Sequence, residues 1–179
     1  NARRLRDVEL QQADGSWRPI DTTVVAQGNG WRNAADDVQL RFEPQAASDP
    51  FVRMRWPGGQ ELSFCMAGAF RSAARTSGSS VVYPGVTAGT DLKIDVLSGG
   101  IKETLVLATP DAPNSWVFPL WLNGLSAHLV DGRVALSSAD GKELAQIPPG
   151  FMTDSAAVPA ASNAVRYELI DHAGGQALR

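Results

Sequence analysis

Two histidines, one cysteine and 13 aspartates are the groups with which this chain could do acid-base, nucleophilic or metal chemistry. Their spacing assembles none of these sites. His128 stands in a strand-like run and His172 near the end, so no H-x-H, H-E-x-x-H or C-x-x-C ligand pattern exists and a transition-metal site is not expected. No G-x-S-x-G elbow or glycine-rich phosphate loop appears, and no serine has a histidine fixed beside it. Cys65, within Leu62-Ser63-Phe64-Cys65-Met66, reads as a small buried hydrophobe rather than a catalytic thiol, which needs a histidine and an electropositive setting. With 13 aspartates, a carboxylate pair for glycoside hydrolysis is too easily drawn to carry weight. Calcium could use Asp36-Asp37 or the Asp-Gly turns, but no D-x-D-x-D-G loop is present. No catalytic, cofactor or metal residue is assigned, and an enzyme is not expected.

Two sets of residues could bind rather than react. Trp17, Trp31 and Trp56 lie next to turns, where an indole left open could stack on a sugar ring; the alternative is that they fill the core, as strand tryptophans mostly do. Arg71 and Arg75 are four apart, so a short helix over Ala67–Arg75 would put both on one face, for an anion or a partner; the alternative is a solvated loop.

The elements that must position these groups are strands. In Val81–Leu107, Leu92, Ile94 and Val96 alternate with Asp91, Lys93 and Asp95, the period-2 pattern of a half-buried strand, and Ile101, Leu105 and Leu107 share a face with Glu103. A tight turn at Gly99-Gly100 predicts Leu92 opposite Leu107, Ile94 opposite Leu105 and Val96 opposite Glu103. Glu103 among aliphatics calls either for a bulge that rotates it out, or for a cation or backbone amides that hold it. Asp14-Gly15, Asp131-Gly132 and Asp140-Gly141 mark further hairpins; Val8-Glu9-Leu10 leads through Ala13–Ser16 into Trp17–Ile20, and Leu125–Ile147 reads as a three-strand meander with Leu129 opposite Val134 and Ala127 opposite Leu136. Trp116–Leu122 is apolar on both faces, which suits a central or covered strand, while Pro119 suits an edge.

Three segments in matching order resemble a known module. PGVTAGTDLKIDVLSGGIKETLVL is similar to its PG-(I/V)-D-L strand, turn and G-(V/I)-K-E-D-(I/V)-V-L strand; ADGSWRPIDTTVV and DGKELAQIPPGFMTDS match its DGSW and P-x-M-x-D-S segments. The chain thus resembles, over about Leu5–Ser155, a β-rich module found upstream of YD/RHS repeats or laminin-G-like domains in large secreted, wall-associated proteins of high-GC Gram-positive bacteria. VRYELID at 165–171 fits the strand that follows. Thr104 replaces the family's usual acid after Lys102-Glu103, which weakens any metal site there. The resemblance implies an extracellular or cell-wall location; the chain starts at Asn1 with no charged and apolar leader, so secretion rests on the resemblance.

At 179 residues and 44% hydrophobic content the chain can build a substantial core, and no apolar run approaches the ~20 residues of a membrane span. The formal net charge of −3 argues against a general nucleic-acid binder. The expected fold is therefore all-β, an antiparallel β-sandwich with many hairpins and little helix, a barrel or two small β subdomains being the alternative. One domain over 1–170 is expected, with any subdivision near 67–80, and 171–179 as tail or linker. The expected function is a non-catalytic structural or interaction module of a larger secreted, RHS/YD-type protein, with a carbohydrate-binding module using exposed tryptophans as the rival. Its expected partners are neighbouring domains of the parent protein and cell-wall or extracellular polysaccharide, with no nucleic acid, no membrane span and no cofactor.

Overall fold

A computed structural model describes residues 9–11 and 14–179. Val8 and Ala13, placed above in the first strand and turn, lie outside the described residues. Glu9–Gln11 (β1) and Trp17–Pro19 (β2) pair across the Asp14-Gly15 turn. Asp21–Gln27 (β3), Gly30–Ala35 (β4), Gln39–Phe42 (β5), Val52–Arg55 (β6) and Glu61–Phe64 (β7) follow as an antiparallel meander. Arg75–Ser77 (β8), Ser80–Thr87 (β9), Thr90–Leu97 (β10) and Gly100–Leu107 (β11) form a second, four-stranded sheet. Phe118–Asn123 (β12) returns to β7, and Leu125–Val130 (β13), Arg133–Ser138 (β14) and Glu143–Ile147 (β15) make a three-stranded sheet. Met152–Thr153 (β16) pairs with Ala161–Ser162 (β17), and Leu169–His172 (β18) with Gly175–Leu178 (β19). The largest sheet runs β18-β19-β12-β7-β6-β5-β4-β3. The fold is all-β, and no helix occurs among the described residues.

The two larger sheets are layers over one core. Phe42 and Val52 of the eight-stranded sheet and Val81, Tyr83, Leu92 and Ile94 of the four-stranded one belong to the same buried cluster, each fully shielded from water. Phe51 meets Phe64 and Tyr83 edge-on at ring distances of 5.6 and 5.1 Å, in the offset geometry that aromatic quadrupoles favour. The Tyr83 hydroxyl, buried and pushed well up in pKa by desolvation, donates to the Glu43 carbonyl at 2.8 Å and so is not left unpaired. The segment between the sheets is sewn to both: Ala46 N–H donates to Ser72 C=O and Phe70 N–H to Val86 C=O, and Ala69 and Ala74 pack on the shared core.

Three expectations are corrected. Ala67–Arg75 is turns and extended chain rather than helix, because its backbone groups find partners across the sheets instead of along a helical turn. The β10–β11 turn is Ser98-Gly99, with Leu97 opposite Gly100, Ile94 opposite Glu103 and Leu92 opposite Leu105. This register differs from the expected one by two residues in pairing, an even number, so every side chain keeps its expected face. The 171–179 tail is instead β18–β19, turned by Ala173-Gly174 at positive φ, and Ala177 and Leu178 are buried where β19 pairs with β12. For β12, where the sequence left centre and edge open, the structure gives an internal position although it contains Pro119, and its outward residue Trp121 is uncovered. The meander pairs as expected, Leu129 opposite Val134 and Ala127 opposite Leu136, with an added irregularity after Leu136; His128 faces Ala135 and is exposed.

Candidate functional site

Strand alternation sorts β4–β7 into two faces. Leu40, Phe42, Val52, Met54, Leu62 and Phe64 point into the core, so Arg41, Arg53 and Arg55 must point out. The pairing then aligns them laterally: Arg32 stands opposite Arg41, Arg41 opposite Arg53, Arg53 opposite Ser63, and Ser63 opposite Trp121. One row across five adjacent strands therefore carries three arginines and ends in a tryptophan that is 42% exposed.

Asn33 fixes the start of this row. Its amide, 5% exposed, donates to Val38 C=O at 2.8 Å and accepts from Leu40 N–H at 2.9 Å, standing in for the backbone ladder just beyond the Arg32–Arg41 pair. Gly30, two residues before Arg32, has the Phe42 carbonyl oxygen against the place where a Cβ would sit, so the strands approach as closely as only glycine allows.

Like charges directly opposite on a sheet oppose folding, and little here neutralises them. The Arg32 guanidinium donates to the carbonyls of Asn33 and Ala34. Arg41 reaches Glu43 only at 3.5 Å, and Arg53 and Arg55 have no ion-pair partner among the described residues. Arg18 of β2 joins the same shallow recess, whose acids are Asp36 and Glu61. Asp36 accepts from the Val38 and Gly99 N–H groups, and Glu61 accepts from the Ser63 hydroxyl. Five arginines against Asp36, Glu61 and the Glu43 beside Arg41 still leave this face positive, on a chain whose formal net charge is −3. Chemically it can hold a polyanion.

Glu103 is a second group of chemical interest, exposed on the edge strand β11. It faces the core side of β11, opposite Ile94, with no bulge in the β10–β11 pairing, and no donor meets its carboxylate among the described residues. Neither the bulge nor the holding cation or amides expected above is found; Glu103 is instead tolerated because β11 is an edge strand and solvent reaches it. Burial of the surroundings pushes its carboxyl up to about 7, and its charge adds to the burial that raises the Tyr167 phenol. Solvent access tempers that desolvation, so the upward direction is what its chemistry rests on.

The residues singled out by sequence are scattered. Trp17 is 56% exposed in β2, while Trp31 and Trp56 pack partly buried against the core. Arg71 and Arg75 are exposed, Arg71 in the turn region and Arg75 in β8, with no shared helix face. The Cys65 thiol is buried and pushed up to about 12, first by desolvation and then by Asp49, which keeps it protonated. Arg32, Arg41, Arg53 and Trp121 were missed. The alternation in β5 and β6 places Arg41, Arg53 and Arg55 on outward faces, but which strands lie side by side is not written in it.

Fold and site together define an all-β domain with a cationic sheet face. No known family profile matches the chain. No solved structure is similar to it at a significant level either. Over 81 residues, 45% of the chain, it is 35% identical to the tRNA(Glu)-specific nuclease WapA of Bacillus subtilis subsp. natto. Over 81 residues it is also 33% identical to the tRNA3(Ser)-specific nuclease WapA of Bacillus spizizenii and to the tRNA nuclease WapA of Bacillus subtilis. The matched stretch spans only 4% of the length of each.

These relatives correct three expectations: a non-catalytic structural module with a carbohydrate-binding rival, the absence of enzyme activity, and the absence of a nucleic-acid partner. Net charge averages over the whole surface and so does not report the positive face described above. No helix among the described residues is long and apolar enough to cross a membrane.

Proposed function

We propose that this chain is a segment of a large, exported tRNA nuclease of the kind the WapA proteins represent. The observation that carries this reading is the similarity itself: three relatives at 33–35% identity over 81 residues are each named as nucleases of tRNA. The arginine face supports it, since an RNA substrate offers a line of phosphates to such a surface. In this reading the parent is extracellular or wall-associated, and YD/RHS repeats or laminin-G-like domains follow this module. Support for that setting comes from the three segments in matching order, ADGSWRPIDTTVV, PGVTAGTDLKIDVLSGGIKETLVL and DGKELAQIPPGFMTDS.

The test is cleavage. The full-length parent polypeptide, incubated with total tRNA and resolved by sequencing of fragment ends, is expected to cut one tRNA or a few at a defined position. Uniformly intact tRNA after incubation with a parent shown to be folded would overturn the reading.

A further inference from the structure

We propose that the outer face of the eight-stranded sheet binds single-stranded RNA, its phosphates along Arg32, Arg41 and Arg53 and a base stacked on Trp121. The choice of RNA as the polymer rests on the nuclease reading; the site itself rests on geometry. Four steps of about 4.8 Å separate β4 from β12, so the row from Arg32 to Trp121 is about 19 Å long, enough for a short run of nucleotides.

Three features favour a ligand over an idle surface. The arginines are aligned in directly opposite pairs, an arrangement that opposes folding unless an anion offsets it. Two of the three guanidinium groups are largely unclaimed: Arg53 has no carboxylate partner among the described residues, and Arg41 has only the 3.5 Å approach of Glu43, while Arg32 gives one nitrogen to the Asn33 and Ala34 carbonyls. Trp121, apolar and 42% exposed, lies on the same row, where an aromatic face beside cations is what an unstacked base needs. A duplex keeps its bases stacked on one another and could use the arginines but not the indole, which is why the strand bound is single. Arg55 and Arg18, in the same recess, extend the cationic track beyond the row.

Fluorescence anisotropy of a labelled 12-nucleotide single-stranded RNA with the 179-residue chain, as a function of salt, tests this. The slope of log affinity against log salt is expected to be negative, by about 0.7 for each phosphate held. The double substitution R41Q/R53Q is expected to weaken binding at low salt by about tenfold or more and to make the slope shallower by about 1.4. W121A is expected to weaken binding about 5- to 100-fold with the slope unchanged, and W121F to restore most of it. Circular dichroism and thermal melting confirm that each exposed-face variant is folded.

No binding by the folded wild-type chain at low salt overturns the proposal. So does R41Q/R53Q binding like wild type, or W121A binding like wild type with heparin held as tightly as RNA, which would leave a nonspecific anion surface. If the chain fails to bind RNA while the parent cleaves tRNA, the proposed surface falls and the nuclease reading stands. Binding by the chain with no cleavage by the parent gives the reverse.

Discussion

Glu103 shows how one carboxyl couples the fold to pH. The folded chain holds its proton more tightly than the unfolded chain does, since the apolar groups packed around it raise the carboxyl from the ordinary 4.5 to about 7 even at an edge that water reaches. A proton bound preferentially by the native state makes stability fall as pH rises between those values. The contribution is full below about 4.5 and is lost by the time pH passes about 7. Glu103→Gln, which cannot ionise, should melt at a higher temperature than wild type at pH 8, and the two melting curves should converge towards pH 4; parallel curves across that range would contradict the assignment. Trp31 and Trp56 teach a different lesson at this scale: adjacency to a turn did not expose them, because each ring is large enough to reach the core from a strand end.

Among the elements, the hairpins were written locally and the tail was not. Asp131-Gly132 and the alternating residues beside it specify both turn and register, so Leu129 opposite Val134 could be read directly. The central hairpin slid by two residues because Ser98, Gly99 and Gly100 offer two tight turns that preserve the same faces. Gly175–Leu178 carries no alternating pattern of any length, and it becomes a strand only because β12 lends it a ladder and a buried site for Ala177. Ala177→Asp should therefore destabilise the domain by about 3 kcal/mol or more, as an unpaired buried carboxylate does. Urea unfolding would measure this, and an unchanged midpoint would mean the segment is the loose tail its sequence suggests.

For the molecule as a whole, the buried cluster joins residues of the eight-, four- and three-stranded sheets, including Val134 and Leu136 of β14. Sheets that share a core lose it together, so heating should give one cooperative transition, with near- and far-ultraviolet circular dichroism coinciding. Two separated transitions would divide the chain, with the segment at 67–80 as the place to look. Folding should be slow for a chain of this size, since β12 pairs with both β7 and β19 across long intervening stretches of chain that form other strands. The long-range β7–β12 pairing also brings Trp121 beside the cationic face, whose arginines the consecutive strands β4, β5 and β6 align.

The sequence by itself determined the all-β class, most hairpins, the inward or outward face of the residues in β5, β6, β10 and β11, and the identity of Glu103 as an outlier on an apolar face. Those are consequences of period-2 alternation and of turn residues that tolerate positive φ, which act within a few positions of one another. Only the tertiary structure decided that Arg32, Arg41, Arg53 and Trp121 form a single row, that β19 belongs to the sheet, and that Trp31 and Trp56 turn inward. Each of these depends on which strands become neighbours, and that is settled by how the layers share one core rather than by any local pattern.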